Sequence, residues 1–248
     1  MLGRKALGIR ELVALLRAWI TLRGYKPMVV KVRCTLRCNS RCLYCSVGQG
    51  RISFNSNEMR TEDFFVLFDE LKHMGTKMVD FTGGEPSLRT DLPQLVSYAR
   101  EHGFSVGITT NGVLLTKGLA EKLIKANVNN IYLSIDSAHP QVHDLVRGAQ
   151  GSWKTVTNGL QQVDMFRKKL KTNTKISIIT VVSKINFKDL DSIFDMKRLF
   201  DFDEVLFIPL IEYFDSTVNL RLSKTEITYF NKNVARSRGL GDVYKRQA

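Results

Sequence analysis

Met28-Val-Val-Lys-Val-Arg-Cys34-Thr-Leu-Arg-Cys38-Asn-Ser-Arg-Cys42-Leu-Tyr44-Cys45 is the stretch that decides how this chain folds and what it can hold. The largely apolar, β-branched run 28–32 makes residues 28–33 read as a strand. Directly after it Cys38, Cys42 and Cys45 stand as Cys-x-x-x-Cys-x-x-Cys, placing three thiols on one short loop. Three thiolates on a loop signal an iron-sulfur or a zinc site. They are one ligand short of the four that close a structural zinc site or an ordinary [4Fe-4S] cluster, so one coordination position is left for a non-protein group.

Outward from this stretch, β-rich runs alternate with segments of helical period. Thr61 is a candidate N-cap for a helix carrying Phe64, Leu67, Phe68, Leu71 and Met74 at spacings of three and four, with Gly75 as its stop. Residues 77–81 read as the second strand. Pro93 suits a first helical position, Leu95, Val96 and Ala99 face inward, and Gly103 suits the position after the helix end. The third strand follows at 104–109, a helix at 116–126, the fourth strand at 130–135, a helix at 153–166 and the fifth strand at 175–182. A helix over 187–200 and a strand over 204–209 complete the sixth repeat. Six such repeats imply parallel pairing with right-handed crossovers, as an open doubly wound sheet or as a full or partial barrel. In both, chemistry gathers at the carboxyl ends of the strands. The cysteines, residues 82–86, residues 110–112 and Asp136 each follow a strand end, so four separate signals fall on one rim.

The second of these is Thr82-Gly83-Gly84-Glu85-Pro86. Paired glycines allow a sharp turn and close approach of a ligand, and Glu85 offers a carboxylate to an ammonium group. Taken alone it is also an ordinary strand-to-helix turn. Combined with Cys38-Asn-Ser-Arg-Cys42-Leu-Tyr44-Cys45, it resembles the radical S-adenosylmethionine (radical SAM) superfamily, and Tyr44 fits the aromatic position before that family's third cysteine. The resemblance covers about residues 28–210. A zinc site is the plainer alternative for the cysteines.

The resemblance implies a partial (β/α)6 TIM-like barrel of parallel strands, with the active site at their carboxyl ends. It implies a [4Fe-4S] cluster on Cys38, Cys42 and Cys45, with the amino and carboxylate groups of S-adenosylmethionine on the fourth iron. Reduction then cleaves the sulfonium to methionine and a 5′-deoxyadenosyl radical that abstracts a substrate hydrogen. By the same resemblance Gly83, Gly84 and Glu85 hold the methionyl amino group and Tyr44 lies near the adenine. Ser134 and Asp136, in Leu133-Ser134-Ile135-Asp136, approach the ribose or the methionyl carboxylate. Arg147 can pair with a carboxylate, or form a surface ion pair. Asn111, in Thr110-Asn111-Gly112, contacts the cofactor or shapes the turn, since Asn-Gly is a favoured turn pair. Asn186 matches a further family position after the fifth strand. Cys34 falls where an apolar residue is usual, and a buried structural thiol is expected.

At 248 residues, with 44% apolar and 25% charged residues, the chain fits one large globular domain. Four cysteines, three of them clustered, do not make a disulfide framework, so a reducing cytoplasm is expected. Of the net charge of +13, much lies in residues 1–41, where ten Lys or Arg stand against Glu11 alone. There Leu12, Leu15, Leu16, Trp19, Ile20 and Leu22 form one helical face, too short and too interrupted to span a bilayer. Such a helix covers the open end of the domain, docks a partner, or touches a membrane surface at its inner face. No nucleic-acid partner is expected, because no aromatic or base-reading motif accompanies the charge. The division expected is 1–26 as the basic helix, 27–212 as the core domain, and 213–248 as a truncated remnant whose last residues resemble translated adapter sequence. No cysteine follows Cys45, so no auxiliary cluster is expected from this chain. The electron source implied is a small reductase such as flavodoxin or ferredoxin. Peptide or protein maturation and cofactor or lipid biosynthesis are the substrate classes considered, and a non-catalytic zinc or nucleic-acid binding module is the alternative to an enzyme.

Overall fold

The computed structural model describes residues 26–52, 58–210 and 215–235, together with residues 13, 14, 16 and 18. Those four are helical, and the rest of the basic helix expected over 1–26 lies outside the described residues, as do residues 236–248. Strands β1 (Val29–Thr35), β2 (Met78–Gly83), β3 (Ser105–Thr110), β4 (Asn130–Ser134), β5 (Lys175–Val182) and β6 (Glu204–Pro209) form one sheet in the order β1-β2-β3-β4-β5-β6. Every pairing is parallel. Between them run α1 (Thr61–His73), α2 (Leu92–Glu101), α3 (Lys117–Lys125), α4 (Pro140–Arg147), α5 (Ser152–Lys169) and the single turn α6 (Ser192–Asp195), with α7 (Lys224–Phe230) after the last strand.

The core lies between the sheet and the helices outside it. Val79, Phe81, Val106, Ile108, Ile131, Leu133, Ile176 and Ile178 occupy alternate strand positions, and all are buried. Helix residues Phe68, Leu95, Leu123 and Leu160 meet them with almost no exposed surface. Phe68 sits at the centre, edge-on to Phe81 with ring centroids 5.8 Å apart. Period-two burial on strands against period-3.6 burial on helices is what the apolar pattern demanded. The other strand positions face a concave lumen, where Lys31, Asp80, Thr109 and Tyr132 are found. β1 and β6 do not pair, yet Arg33 of β1 and Ile208 of β6 line the same cavity. The sheet therefore curls until its two edges approach, the geometry of a partial barrel.

Three local expectations are corrected. Arg60, not Thr61, caps α1: Asp63 Oδ2 accepts from the Arg60 amide at 3.0 Å, while the Thr61 hydroxyl donates to Asp91 at 2.7 Å. Pro93 is the second helical residue, because α2 begins at Leu92. The helix expected over 187–200 is a run of tight turns with one turn of α-helix and the 3-10 turn Met196–Arg198. Its buried residues Phe187, Leu190, Ile193 and Met196 recur strictly every three positions. That is the period of three-residue turns rather than of an α-helix.

Candidate active site

The register of β1 against β2 shifts between Arg33 and Thr35, so the chain leaves the sheet through an irregularity at Cys34. Cys34 is buried and its thiol donates to the Thr82 carbonyl at 3.4 Å. Burial pushes that thiol up to about 12, so it is a neutral structural group, as expected. From there the cysteine loop is held on three sides.

On the β2 side, Gly84 N donates to the Thr35 carbonyl at 2.7 Å and Glu85 N to the Arg37 carbonyl at 2.8 Å. The two glycines make this approach possible. A Cβ on Gly83, whose φ is +135°, would stand 2.1 Å from the Thr35 oxygen, and one on Gly84 2.1 Å from the Arg37 oxygen. On the β3 side, Asn111 donates through Nδ2 to Asn39 Oδ1 at 2.7 Å and to Ser40 Oγ at 3.0 Å. Its Oδ1 accepts from Val113 N at 3.0 Å, so the residue both shapes its turn and braces the loop. On the α4 side, the amides of Arg41 and Leu43 donate to the carbonyls of Arg147 and Val146, each at 3.0 Å. The helix ends at Gly148 in the left-handed region, φ +59°, where a Cβ would meet the Arg41 oxygen at 2.3 Å.

Glu85 is 1% exposed and takes its donors from the chain. Its Oε1 accepts from Ser87 N at 3.0 Å and from the hydroxyls of Ser87 and Thr110 at 2.5 Å each, and its Oε2 accepts from Asn111 N at 2.7 Å. A carboxylate oxygen has room for about two donors, so the capacity left lies on Oε2. Sequence reading missed Ser87, Thr110 and Ser40. Thr110 was in view beside Asn111, but hydroxyl partners carry no spacing signal.

The other rim cluster centres on Asp136, which is wholly buried. Its Oδ2 accepts from the Tyr44 hydroxyl at 3.0 Å and stands 2.8 Å from Arg147 Nε, and its Oδ1 accepts from Val181 N at 3.0 Å. Burial pushes the Tyr44 phenol well above its usual range, so it stays a donor at neutral pH. The Arg147 guanidinium lies 5.9 Å from the Tyr44 ring centroid and donates through Nη1 to Cys42 Sγ at 3.6 Å. It is 7% exposed, so the alternative of a surface ion pair for Arg147 does not hold. Asn186 donates to the Asp136 carbonyl at 2.8 Å and to the Val181 carbonyl at 2.9 Å, tying the end of β5 to this cluster. His143, also overlooked, accepts at Nδ1 from Asp136 N at 3.2 Å. Ser134 ends β4 half-buried on the lumen side.

Cys42 is buried, and Cys38 and Cys45 are half-buried. Burial raises the Cys42 thiol to about 11, and the Arg147 guanidinium pulls against that rise. Cys38 is raised chiefly by burial as well. Cys45 lines a cavity of about 340 Å³ with Tyr44, Gly83 and Arg33, and Cys38 lines a second of about 390 Å³ beside it, with Val47 common to both. Among the described residues, no three His, Cys, Asp or Glu side chains converge as one metal ion would require. A cluster makes no such demand, because each thiolate takes a different iron. Three thiols on one braced loop, flanked by a guanidinium and opening onto a cavity, therefore fit an iron-sulfur cluster.

Fold and site together define a partial (β/α)6 barrel with a three-thiol loop at its catalytic rim. The chain belongs to the radical SAM superfamily, whose family model matches residues 32–196. Members of that superfamily are enzymes that use a [4Fe-4S] cluster and S-adenosylmethionine. The chain is 32% identical to Fe-coproporphyrin III synthase of Methanosarcina barkeri over 186 residues, 75% of this chain and 44% of that protein. It is 33% identical to the mycofactocin maturase MftC of Mycolicibacterium smegmatis over 165 residues, 66% of this chain and 40% of that protein. The chain thus spans less than half the length of these curated relatives. Streptococcus suis SuiB bound to S-adenosylmethionine shares the fold, with a TM-score of 0.69 and 17% identity over 95% of this chain and 55% of SuiB.

Proposed function

We propose that Cys38, Cys42 and Cys45 hold a [4Fe-4S] cluster at which S-adenosylmethionine is cleaved reductively, yielding a 5′-deoxyadenosyl radical that abstracts a substrate hydrogen. The observation that carries this reading is the bracing of the cysteine loop by β2, β3 and α4, which fixes three thiols beside a cavity at the strand ends. In this reading Gly83, Gly84 and Glu85 face the methionyl amino group, with Oε2 of Glu85 as the acceptor. Tyr44 lies toward the adenine, and Ser134 and Asn111 edge the site. Arg147, whose buried guanidinium stands against Asp136 and donates to Cys42 Sγ, takes the methionyl carboxylate. Asp136 holds Tyr44 and Arg147 in place through Oδ2, and its Oδ1, which accepts from Val181 N alone, keeps room for a ribose hydroxyl.

The core domain proposed is 27–212. A small reductase such as flavodoxin or ferredoxin supplies the electron, in the cytoplasm, with the basic segment 1–26 available to touch the inner face of a membrane. Among the described residues no helix is long and apolar enough to cross one. The names of the relatives, an Fe-coproporphyrin III synthase and a mycofactocin maturase, support a substrate in cofactor biosynthesis or peptide maturation. Family membership disfavours a non-catalytic zinc or nucleic-acid binding module.

The test is anaerobic reconstitution with iron and sulfide, reduction with dithionite, and chromatography for 5′-deoxyadenosine. The product is expected from the wild type and not from Cys42→Ala. A chain that takes up a cluster and S-adenosylmethionine but forms no 5′-deoxyadenosine would refute the proposal.

A further inference from the structure

The end of the barrel opposite the catalytic rim carries a charge pattern of its own. In a parallel sheet with helical crossovers, helix C-termini and strand N-termini meet at one end. Lys122 and Lys125 of α3, Lys169 of α5, Lys171 in the turn after it and Lys175 at the start of β5 therefore share that end, and all five are exposed. Glu121 is the acid set among them, and it is ion-paired to Lys125 at 2.8 Å. Lys125 holds the Glu121 carboxylate below its usual range and Lys169 of the neighbouring helix adds to this, so both helix ends act in one field. Arg167 and Lys168 are matched by Asp164, Asp201 and Asp203. Lys122, Lys169, Lys171 and Lys175 have no ion pair among the described residues.

A cation in the last turn of a helix complements the helix dipole, which accounts for Lys122, Lys125 and Lys169. It does not account for Lys171 and Lys175, which stand beyond α5. Lys171 is also held in the left-handed region, at φ +51°. The corresponding positions after α1, α2 and α3 are Gly75, Gly103 and Asn127, residue types that take this region most readily. A lysine there costs stability. It sets a long cationic chain beside Leu170, 37% exposed, and near Met165, 42% exposed and one turn before Lys169. Protein interfaces favour aromatic residues and arginine over lysine, and single-stranded nucleic acids are held by aromatic stacking. This seam instead combines lysines with aliphatic chains, the pairing that suits a lipid headgroup layer. We propose that this end of the barrel docks on an anionic phospholipid surface through Lys122, Lys169, Lys171 and Lys175, with Met165 and Leu170 against the headgroups. The catalytic rim then faces away from the bilayer, open to soluble partners. The docking does not depend on the chemistry at that rim.

The test is flotation of the full chain with vesicles of phosphatidylglycerol and phosphatidylcholine in equal parts. The chain should bind these but not phosphatidylcholine alone, and should be released as salt is raised. A lysine near an anionic surface is worth about fivefold in affinity. Lys171→Glu combined with Lys175→Glu should therefore weaken binding by more than about tenfold. The same charge change made by Lys184→Glu with Lys188→Glu, which follow the carboxyl end of β5, should leave binding nearly unchanged. Lys171→Gly should raise the melting temperature while lowering vesicle affinity, a combination that a merely structural role would not produce. Equal losses in the two double variants would reduce the effect to net charge and overturn the proposal. So would undiminished binding by the Lys171 and Lys175 variant, because the segment 1–26 would then carry the contact, or a wild type that leaves the anionic vesicles free. An RNA duplex that binds more tightly than the vesicles at the same salt, and is lost in the same variant, would assign the lysines to nucleic acid and overturn it as well.

Discussion

Glu85 shows how far a single residue's surroundings alter the experiment that should probe it. Its carboxylate accepts from Ser87, Thr110 and Asn111. Glu85→Ala would strand those buried donors, at a cost of about 1–3 kcal/mol for each group left unsatisfied. The prediction is therefore twofold: S-adenosylmethionine binding falls, and the urea midpoint falls with it. A variant that loses binding with an unmoved midpoint would contradict this account of the site. Gly148 offers a cleaner probe of the cysteine loop. Alanine there suffers both the left-handed φ and the 2.3 Å approach to the Arg41 oxygen, and should cost more than about 1 kcal/mol. Iron uptake on reconstitution should fall as the loop is pushed from α4; uptake equal to wild type would refute the bracing.

His143 carries a pH prediction. Burial holds its imidazole down at about 4 against an ordinary 6.5, and its Nδ1 is engaged as an acceptor from Asp136 N. Below about pH 6.5 the unfolded chain takes a proton that the native chain refuses, so stability falls as pH drops from about 6.5 to about 4, by about 3 kcal/mol in all. His143→Gln keeps an acceptor without the titration and should flatten that slope in urea midpoints taken across the window. A variant profile parallel to wild type would refute it.

At the scale of elements, α4 and α5 are locked together by one carboxylate. Asp144 accepts from Gly151 N at 2.6 Å, Trp153 N at 2.8 Å and Ser152 Oγ at 2.9 Å, so a side chain of α4 caps the start of α5. Burial raises its pKa, but the donors from Trp153, Gly151 and Ser152 outweigh this and hold it below the usual value. A depressed carboxylate gives stability that is present above the ordinary pKa of 3.8 and is lost as pH falls through the lower folded value. Asp144→Ala should cost about 1–2 kcal/mol at neutral pH, the usual worth of an N-cap. An unchanged melting temperature would count against it.

The same elements show what could be read from the sequence. All six strands were legible, because β-branched runs between Gly, Pro and polar turns signal a strand wherever it packs. α4 was not: its apolar Val142, Leu145 and Val146 are helically spaced, but Leu145 is exposed and the buried members include His143 and Arg147, so the apolar pattern and the buried face do not coincide. The cysteines and the paired glycines were legible as a motif. The reason for the glycines was not: it is the approach of the Thr35 and Arg37 carbonyls, a contact between segments some 48 positions apart.

For the whole molecule, the curled but unclosed sheet sets an order of local stability. β3 and β4 are paired on both sides and covered by α2, α3 and α5, whereas β1 and β6 each have one strand neighbour. Hydrogen exchange should therefore be slowest for Ile108 and Ile131 and faster by orders of magnitude for Leu206 and Ile208, which lie at a half-exposed edge. Comparable protection of β4 and β6 would show that the open edge is covered in solution.

The strand order has a last consequence, for how the protein is made. Each strand pairs with its predecessor in sequence, so a nascent chain can add β2, β3 and β4 to an existing edge as each leaves the ribosome, without waiting for a distant partner. The cysteine loop breaks this progression. It is translated first, yet its last brace, the carbonyls of Val146 and Arg147, arrives about a hundred residues later. The cysteine loop thus takes its final shape only once α4 has been synthesised, which dates any cluster insertion to a point after Val146 and Arg147 have left the ribosome.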